Sequence, residues 1–258
     1  MGEKTVKFID KSGLCAVLLA SAALTSVPAF AAMAPAGAPA AAPAPPSAER
    51  PAADVERDAT RKPTQIIAFA GVKPGMTVGE LGPGGFYYTR LLSKAVGPKG
   101  KVYAILNAFA AGRPGALDQA KALAAVLGNV EVLVADYPTL VLPTKADLIW
   151  TTENYHDYHN GATANVPGLN KAVFENLKPG GIFYVEDHSA APSAGLEAAQ
   201  KFHRMDEAVA KTELTAAGFK LDGETNLLRN PSDNRASSNS EAGHFVTDRF
   251  GLRMKKPG

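Results

Sequence analysis

Cysteine is nearly absent. Cys15 is the only one, and it lies in the N-terminal leader rather than in the part of the chain that folds. Disulfides, a thiolate nucleophile and cysteine metal ligands are therefore excluded from the remainder. No small-residue pattern of a lipoprotein precedes Cys15, and too little apolar sequence comes before it, so lipidation is not expected. An excess of one charge is missing as well. The chain has 27 Lys and Arg against 25 Asp and Glu. Without Lys4, Lys7, Lys11, Glu3 and Asp10 of the leader, 24 basic and 23 acidic residues remain. So close a balance gives no electrostatic case for nucleic acid or an anionic membrane, and a small-molecule partner is favoured.

What the leader contains is three lysines, then an apolar run over 14–24, then small residues ending in Ala29-Phe30-Ala31. This is the three-part order of a secretory signal peptide. An uncleaved anchor is the alternative, but the run falls short of the about 20 residues that cross a bilayer. The expectation is a signal peptide over 1–31, cleavage before Ala32, and a periplasmic or secreted product without membrane attachment. Residues 32–53 are almost wholly alanine and proline, which makes an extended tether and no core. Residues 54–258 are left as one domain, long enough for a sizeable core.

Within that domain strands and helices alternate. Short apolar segments at "PGMTVGEL", "GKVYAILN", "NVEVLVAD", "ADLIWTTE" and "IFYVEDH" read as strands. Helical spacing separates them, in "YYTRLLSKAV", "ALDQAKALAAVLG" and "VPGLNKAVFENL". "LEAAQKFHRMDEAVAKTELTAAG" reads as one long helix before two closing strands, "FKLDGETNLL" and "GHFVTDRFGLRMKK", which no helix separates. The pattern predicts an α/β fold: a mostly parallel sheet, helices on both faces and an antiparallel hairpin at one edge. There is no internal repeat.

The stretch "GELGPGGFYYTRLL" (79–92) follows the first strand and opens a helix. It is not a dinucleotide fingerprint, because from Gly82 and Gly84 the third glycine position falls on Tyr87. S-adenosylmethionine has no phosphate, and its sites use an acid at the strand end followed by x-G-x-G, an order met by Glu80, Gly82 and Gly84. Glycines let backbone approach a ligand where a Cβ would collide. A glycine-rich turn serving only strand-to-helix reversal is the other reading.

With "LKPGGIFYVEDHSA", "FHRMDEAVAKTELTAAGF" and "TDRFGLRMKKP", the loop resembles the predicted class I S-adenosylmethionine-dependent methyltransferases that occur as exported bacterial proteins. The resemblance covers nearly all of 54–258 and implies a Rossmann-like sheet of seven strands with the last antiparallel. It assigns cofactor contacts to Glu80, Gly82, Gly84 and Gly85. Where the family carries a further glycine this chain has Phe86; if the loop wraps a ligand, that ring is expected to turn away onto Leu91 and Leu92. Where the family ends the second strand with an acid for the ribose hydroxyls, this chain has Leu106. Asn107, one residue on, can supply an acceptor and a donor or can be a plain loop residue. Asp136 and Tyr137 fall where the family contacts adenine, although a solvated strand-end aspartate reads the same way. The expected cofactor is S-adenosylmethionine, its binding weakened by Phe86 and Leu106 by roughly ten- to a thousandfold, at about 1–3 kcal/mol for each lost polar contact. The predicted activity is methyl transfer to a small molecule. The alternative is an exported, non-catalytic binding protein on the same fold, which export favours because S-adenosylmethionine is made in the cytoplasm.

Catalytic candidates follow the fourth and fifth strands, in "ENYHDYH" (153–159) and "EDH" (186–188). In an open parallel sheet the carboxyl ends of strands surround the ligand crevice, so His156, Asp157, Asp187 and His188 are expected to face one another. His156 or His188 would act as general base and Asp157 or Asp187 would orient it, with Tyr155 shaping the substrate site. A purely structural Asp187–His188 pair is the competing reading. Histidine and carboxylate also suit a divalent ion, but no tight ligand spacing is present, and a metal is not expected. His203, Arg204 and Asp206 could cover the site, but helix-surface pairing is the reading preferred for them, and Trp150 is assigned to the core.

Overall fold

The seven apolar segments become seven strands: β1 (Thr77–Leu81), β2 (Lys101–Leu106), β3 (Val130–Val134), β4 (Ala146–Thr152), β5 (Leu177–His188), β6 (Lys220–Thr225) and β7 (Arg249–Lys255). The computed structural model describes residues 49–243 and 246–258. The expected signal peptide, most of the tether and His244 lie outside the described residues. Strand order in the sheet is β3-β2-β1-β4-β5-β7-β6. The first five strands run parallel, and β7 lies antiparallel between β5 and β6. The fold expected from alternation is the one formed. Among the described residues no helix is long and apolar enough to cross a membrane.

Side-chain alternation along the central strands supplies both faces of the core. Val78, Leu148, Trp150 and Tyr184 pack on one side with Ile66, Tyr88 and Leu92. Those three belong to α3 (Pro63–Ala70) and α4 (Tyr87–Val96), which follow two short turns of helix, α1 (Ala52–Glu56) and α2 (Asp58–Arg61). Trp150 is fully buried, as expected, between the rings of Tyr88 and Tyr184. Leu81, Ile105, Ile149, Phe183 and Val185 face the other side. A third, smaller cluster joins Phe86 and Leu106 to Ala120 and Leu123. It lies beneath α5 (Ala108–Ala111) and α6 (Ala116–Leu127).

Beyond α7 (Val166–Asn176) the expected long helix is in fact two, α8 (Glu197–Phe202) and α9 (Glu207–Ala216). His203 takes a left-handed conformation (φ 49°) and ends α8, and the Asp206 side chain accepts from Ala208 N to start α9. The apolar period carries across the break, which is why periodicity alone does not show it. Arg204, assigned to the surface, is fully buried and donates to both carboxylate oxygens of Asp233 at 2.8 and 3.1 Å. That bond pins the stretch after β6, which carries a last short helix, α10 (Asn239–Ala242).

Candidate functional site

Strand order reverses between β1 and β4, the point at which open α/β sheets hold ligands. The loop after β1 lies at this switch, with positive φ at Gly82 (62°), Gly84 (53°) and Phe86 (65°). Asn154, just past β4, donates to Gly82 O at 3.0 Å and so ties the two sides of the switch together. A Cβ on Gly84 or Gly85 would meet nothing within 4 Å, whereas one on Gly82 would come 3.0 Å from the Asn154 amide. Gly84 and Gly85 thus border open space into which a ligand can come close to backbone. Glu80, buried below the loop, accepts from Thr89 Oγ1 at 2.6 Å. Burial pushes its carboxyl up to about 7, and the Thr89 hydroxyl relieves only part of this.

The loop thus leaves room for a ligand at its glycines, while no carboxylate stands at the end of β2. Leu106 is buried there, with Phe86 packed in the same cluster. The oxygen of the Asn107 side chain is engaged, accepting from Ala110 N at 2.8 Å as the N-cap of α5. Asp136 is exposed and takes the Thr139 hydroxyl in a turn. Tyr137 is buried, with its hydroxyl donating to Ile105 O at 3.1 Å.

On the other side of the switch, β4 and β5 end side by side and bring His156, Asp157, Asp187 and His188 together. Asp187 is fully buried and organises the group. Its Oδ2 accepts from His156 N at 2.7 Å, and its Oδ1 meets His156 Nδ1 at 2.7 Å and His188 N at 2.8 Å. The side-chain pair is therefore His156–Asp187. Asp187 meets His188 through the His188 backbone amide, and His188 Nδ1 bonds Thr247 Oγ1 at 2.7 Å. Asp157 Oδ1 stands 3.3 Å from His156 Nε2 and 3.2 Å from His203 Nδ1.

This arrangement pushes the two histidines apart electrostatically. Burial alone would lower His156, but Asp187 and Asp157 outweigh it and raise it to about 10. Burial lowers His188 to about 4. Neither has the near-neutral value expected of a general base. Tyr155 also departs from expectation: it is fully buried, its hydroxyl accepting from Asn170 at 2.7 Å and donating to Glu213 at 3.1 Å, so it builds core rather than substrate site.

A cavity of about 330 Å³ opens over the cluster, lined by Glu153, Asp157, His188, His203, Asn239 and Ser240, which is room for a small molecule. A larger depression of about 1010 Å³, with Arg90, Lys94 and Asn129 in its wall, lies over α4 and the start of β3, away from the strand ends that carry the cluster. Glu153 is held by Arg61 of α2 and by Arg249 Nη1 at 2.8 Å. Burial would raise its carboxyl, but Arg61, His188 and Arg249 hold it well below the usual range. Sequence reasoning does not single out Glu153, Asn239 and Ser240 as cavity residues, and it gives His203 a place over the site only as the second reading. For His203 a signal exists in Asp206, a helix N-cap residue standing inside a stretch whose apolar period runs on.

No family model matches the chain, and no curated protein is similar to it. Solved structures are. A SAM-dependent methyltransferase from Aquifex aeolicus is 23% identical, with a TM-score of 0.57 over 78% of this chain and 92% of that one. A methyltransferase of the same dependence from Mesorhizobium loti is 16% identical, with a TM-score of 0.55 over 78% and 100%. A possible exported protein from Bordetella parapertussis is 20% identical, with a TM-score of 0.51 over 81% and 71%. These likenesses, with the strand order, establish a Rossmann-like methyltransferase fold: seven strands, mostly parallel, closed by an antiparallel pair at one edge.

Proposed function

We propose that this protein binds S-adenosylmethionine at the end of β1 and transfers its methyl group to a small molecule held in the cavity at the ends of β4 and β5. The observation that carries the reading is the loop 82–86, with three positive φ values at the switch point and two glycines facing open space. The neighbours of the fold that are SAM-dependent methyltransferases support it. When bound, the cofactor would supply the electrophilic methyl group. Gly84 and Gly85 would admit its methionyl portion, and Glu80 would stand behind the loop. Asn154 would hold the loop against β4. Glu153 and His188 would orient the acceptor from the cavity wall, and positioning would supply most of the acceleration. By the same reading the mature chain works outside the cytoplasm, which accords with the leader's three-part order.

Calorimetric titration with S-adenosylmethionine and its demethylated product tests this. The wild type should bind. Gly85→Leu, whose Cβ would meet nothing within 4 Å, should abolish binding while leaving the melting temperature within a few degrees. No wild-type binding at millimolar ligand, which is a free energy weaker than about −4 kcal/mol, would refute the reading, as would equal binding by Gly85→Leu.

A further inference from the structure

We propose that His156 Nε2, Asp157 Oδ1 and His203 Nδ1 bind a divalent transition-metal ion of the zinc class, with its open coordination position facing the 330 Å³ cavity. The three atoms lie within 4.8 Å of one another. In a tetrahedral site, metal–ligand bonds of about 2.0–2.1 Å place neighbouring ligand atoms about 3.3 Å apart. Asp157 Oδ1 meets that spacing to both imidazoles, at 3.3 Å from His156 Nε2 and 3.2 Å from His203 Nδ1. Two imidazole nitrogens and one carboxylate are a donor set for zinc and its neighbours rather than for magnesium or calcium, which take oxygen. Three protein ligands leave one position for water or substrate.

The support behind the ligands is built in the way metal sites require. Asp187 holds His156 Nδ1 at 2.7 Å, and its other oxygen accepts from the His156 backbone. That bond turns Nε2 toward Asp157, where a bound ion would take the place of the proton that the two now share. A carboxylate behind a ligating histidine is the usual second layer of such sites. His156 is buried, whereas Asp157 and His203 are about half exposed, so a route for the ion lies open from the cavity side. Glu153 and His203, both on the cavity wall, have left-handed backbone (φ 55° and 49°). Strained non-glycine residues of this kind cluster at ligand sites. The ion would hold an oxygen of the bound small molecule or a water, with Glu153 and His188 beside it. The site stands apart from the glycine loop and does not depend on S-adenosylmethionine.

Protein without an affinity tag, stripped with chelator and dialysed, is titrated with Co²⁺ and followed by visible absorption, then challenged with Zn²⁺. The expected result is the intense absorption of four-coordinate cobalt, saturating at one ion per chain and displaced by zinc. Asp157→Asn and His203→Asn keep side-chain size or left-handed tolerance at half-exposed positions. Each should weaken zinc binding about a hundredfold or more while the thermal melt persists. Asp187→Asn should weaken it by about 10–100-fold. His159→Gln, outside the cluster and bonded to Glu213, should leave the affinity unchanged. A wild type lacking the four-coordinate spectrum, or substitutions at 157 and 203 that bind zinc as tightly as wild type, would overturn the proposal. S-adenosylmethionine titration of the same stripped protein separates its failure from that of the methyltransferase reading.

Discussion

Phe86 combines two opposed effects that substitution can separate. Its ring is 8% exposed, packed with Leu106, Ala120 and Leu123, and removal of a buried Phe ring costs about 3–5 kcal/mol. Its backbone is left-handed at φ 65°, which strains a non-glycine residue by about 1–2 kcal/mol. Phe86→Ala loses the ring and keeps the strain, so it should destabilise by about 3–5 kcal/mol. Phe86→Gly loses the ring and relieves the strain, so its net cost should be about 1–4 kcal/mol. Glycine should therefore be the more stable of the two at this position, the reverse of the order inside a helix. For a domain of this size the Phe86→Gly loss corresponds to a fall in melting temperature of roughly 2–16 °C. Urea unfolding of the three proteins measures these differences directly. A Phe86→Gly protein as stable as wild type would refute the packing, and an alanine variant more stable than the glycine one would refute the backbone conformation.

Glu80 predicts a pH dependence. Its carboxyl stands at about 7 in the fold against the ordinary glutamate value of 4.5, so between those values the folded chain keeps a proton that the unfolded chain has released. The contribution of this group to stability is highest below pH 4.5 and falls as pH rises to 7, by up to about 3 kcal/mol. Glu80→Gln should remove that share of the slope in urea unfolding across the window, while Glu186, also raised to about 7 by burial, keeps its own. Parallel pH profiles for wild type and Glu80→Gln would contradict the assignment. The proposed export makes a simpler prediction: intact-mass measurement of the protein from a periplasmic fraction should give a chain that begins near Ala32. A full-length chain found only in the cytoplasm would overturn it.

The sheet is legible in the sequence because its signals are local. Alternating apolar segments, glycine-closed helices and the loop at Gly82 each identify an element without reference to distant partners. The strand ends are legible for the same reason, since β4 and β5 have to bring "ENYHDYH" and "EDH" to one edge. Which side chain of "EDH" meets His156 is not. Asp187 and His188 alternate across β5, so pairing depends on the register between β4 and β5, here Thr152 opposite Glu186. Tyr155 escapes a sequence reading because its burial depends on α7 and α9, which supply Asn170 and Glu213 from 15 and 58 residues away. His203 is hidden because an apolar period continues through a helix break. The cue there is capping chemistry, which acts on single residues and leaves periodicity intact.

Phe86 and Leu106 look like two separate losses in the sequence, one in the loop and one at the end of β2. In the fold they belong to one cluster, and each makes the other's residue type favourable. A carboxylate at 106 would be desolvated beside the Phe86 ring, and burial of an uncompensated charge is costly. A glycine at 86 would leave Leu106 with less apolar cover. The ring does not lie on Leu91 and Leu92, the position expected of a loop wrapped around a ligand. Those two leucines pack instead with Val78 and Trp150 on the far side of α4. The pair packs the loop against α6 and leaves no carboxylate at the end of β2, while Gly84 and Gly85 still face open space. In the proposed reading cofactor affinity would rest on the loop backbone, whereas the cluster around Asp187, on the proposed acceptor side, is fully assembled.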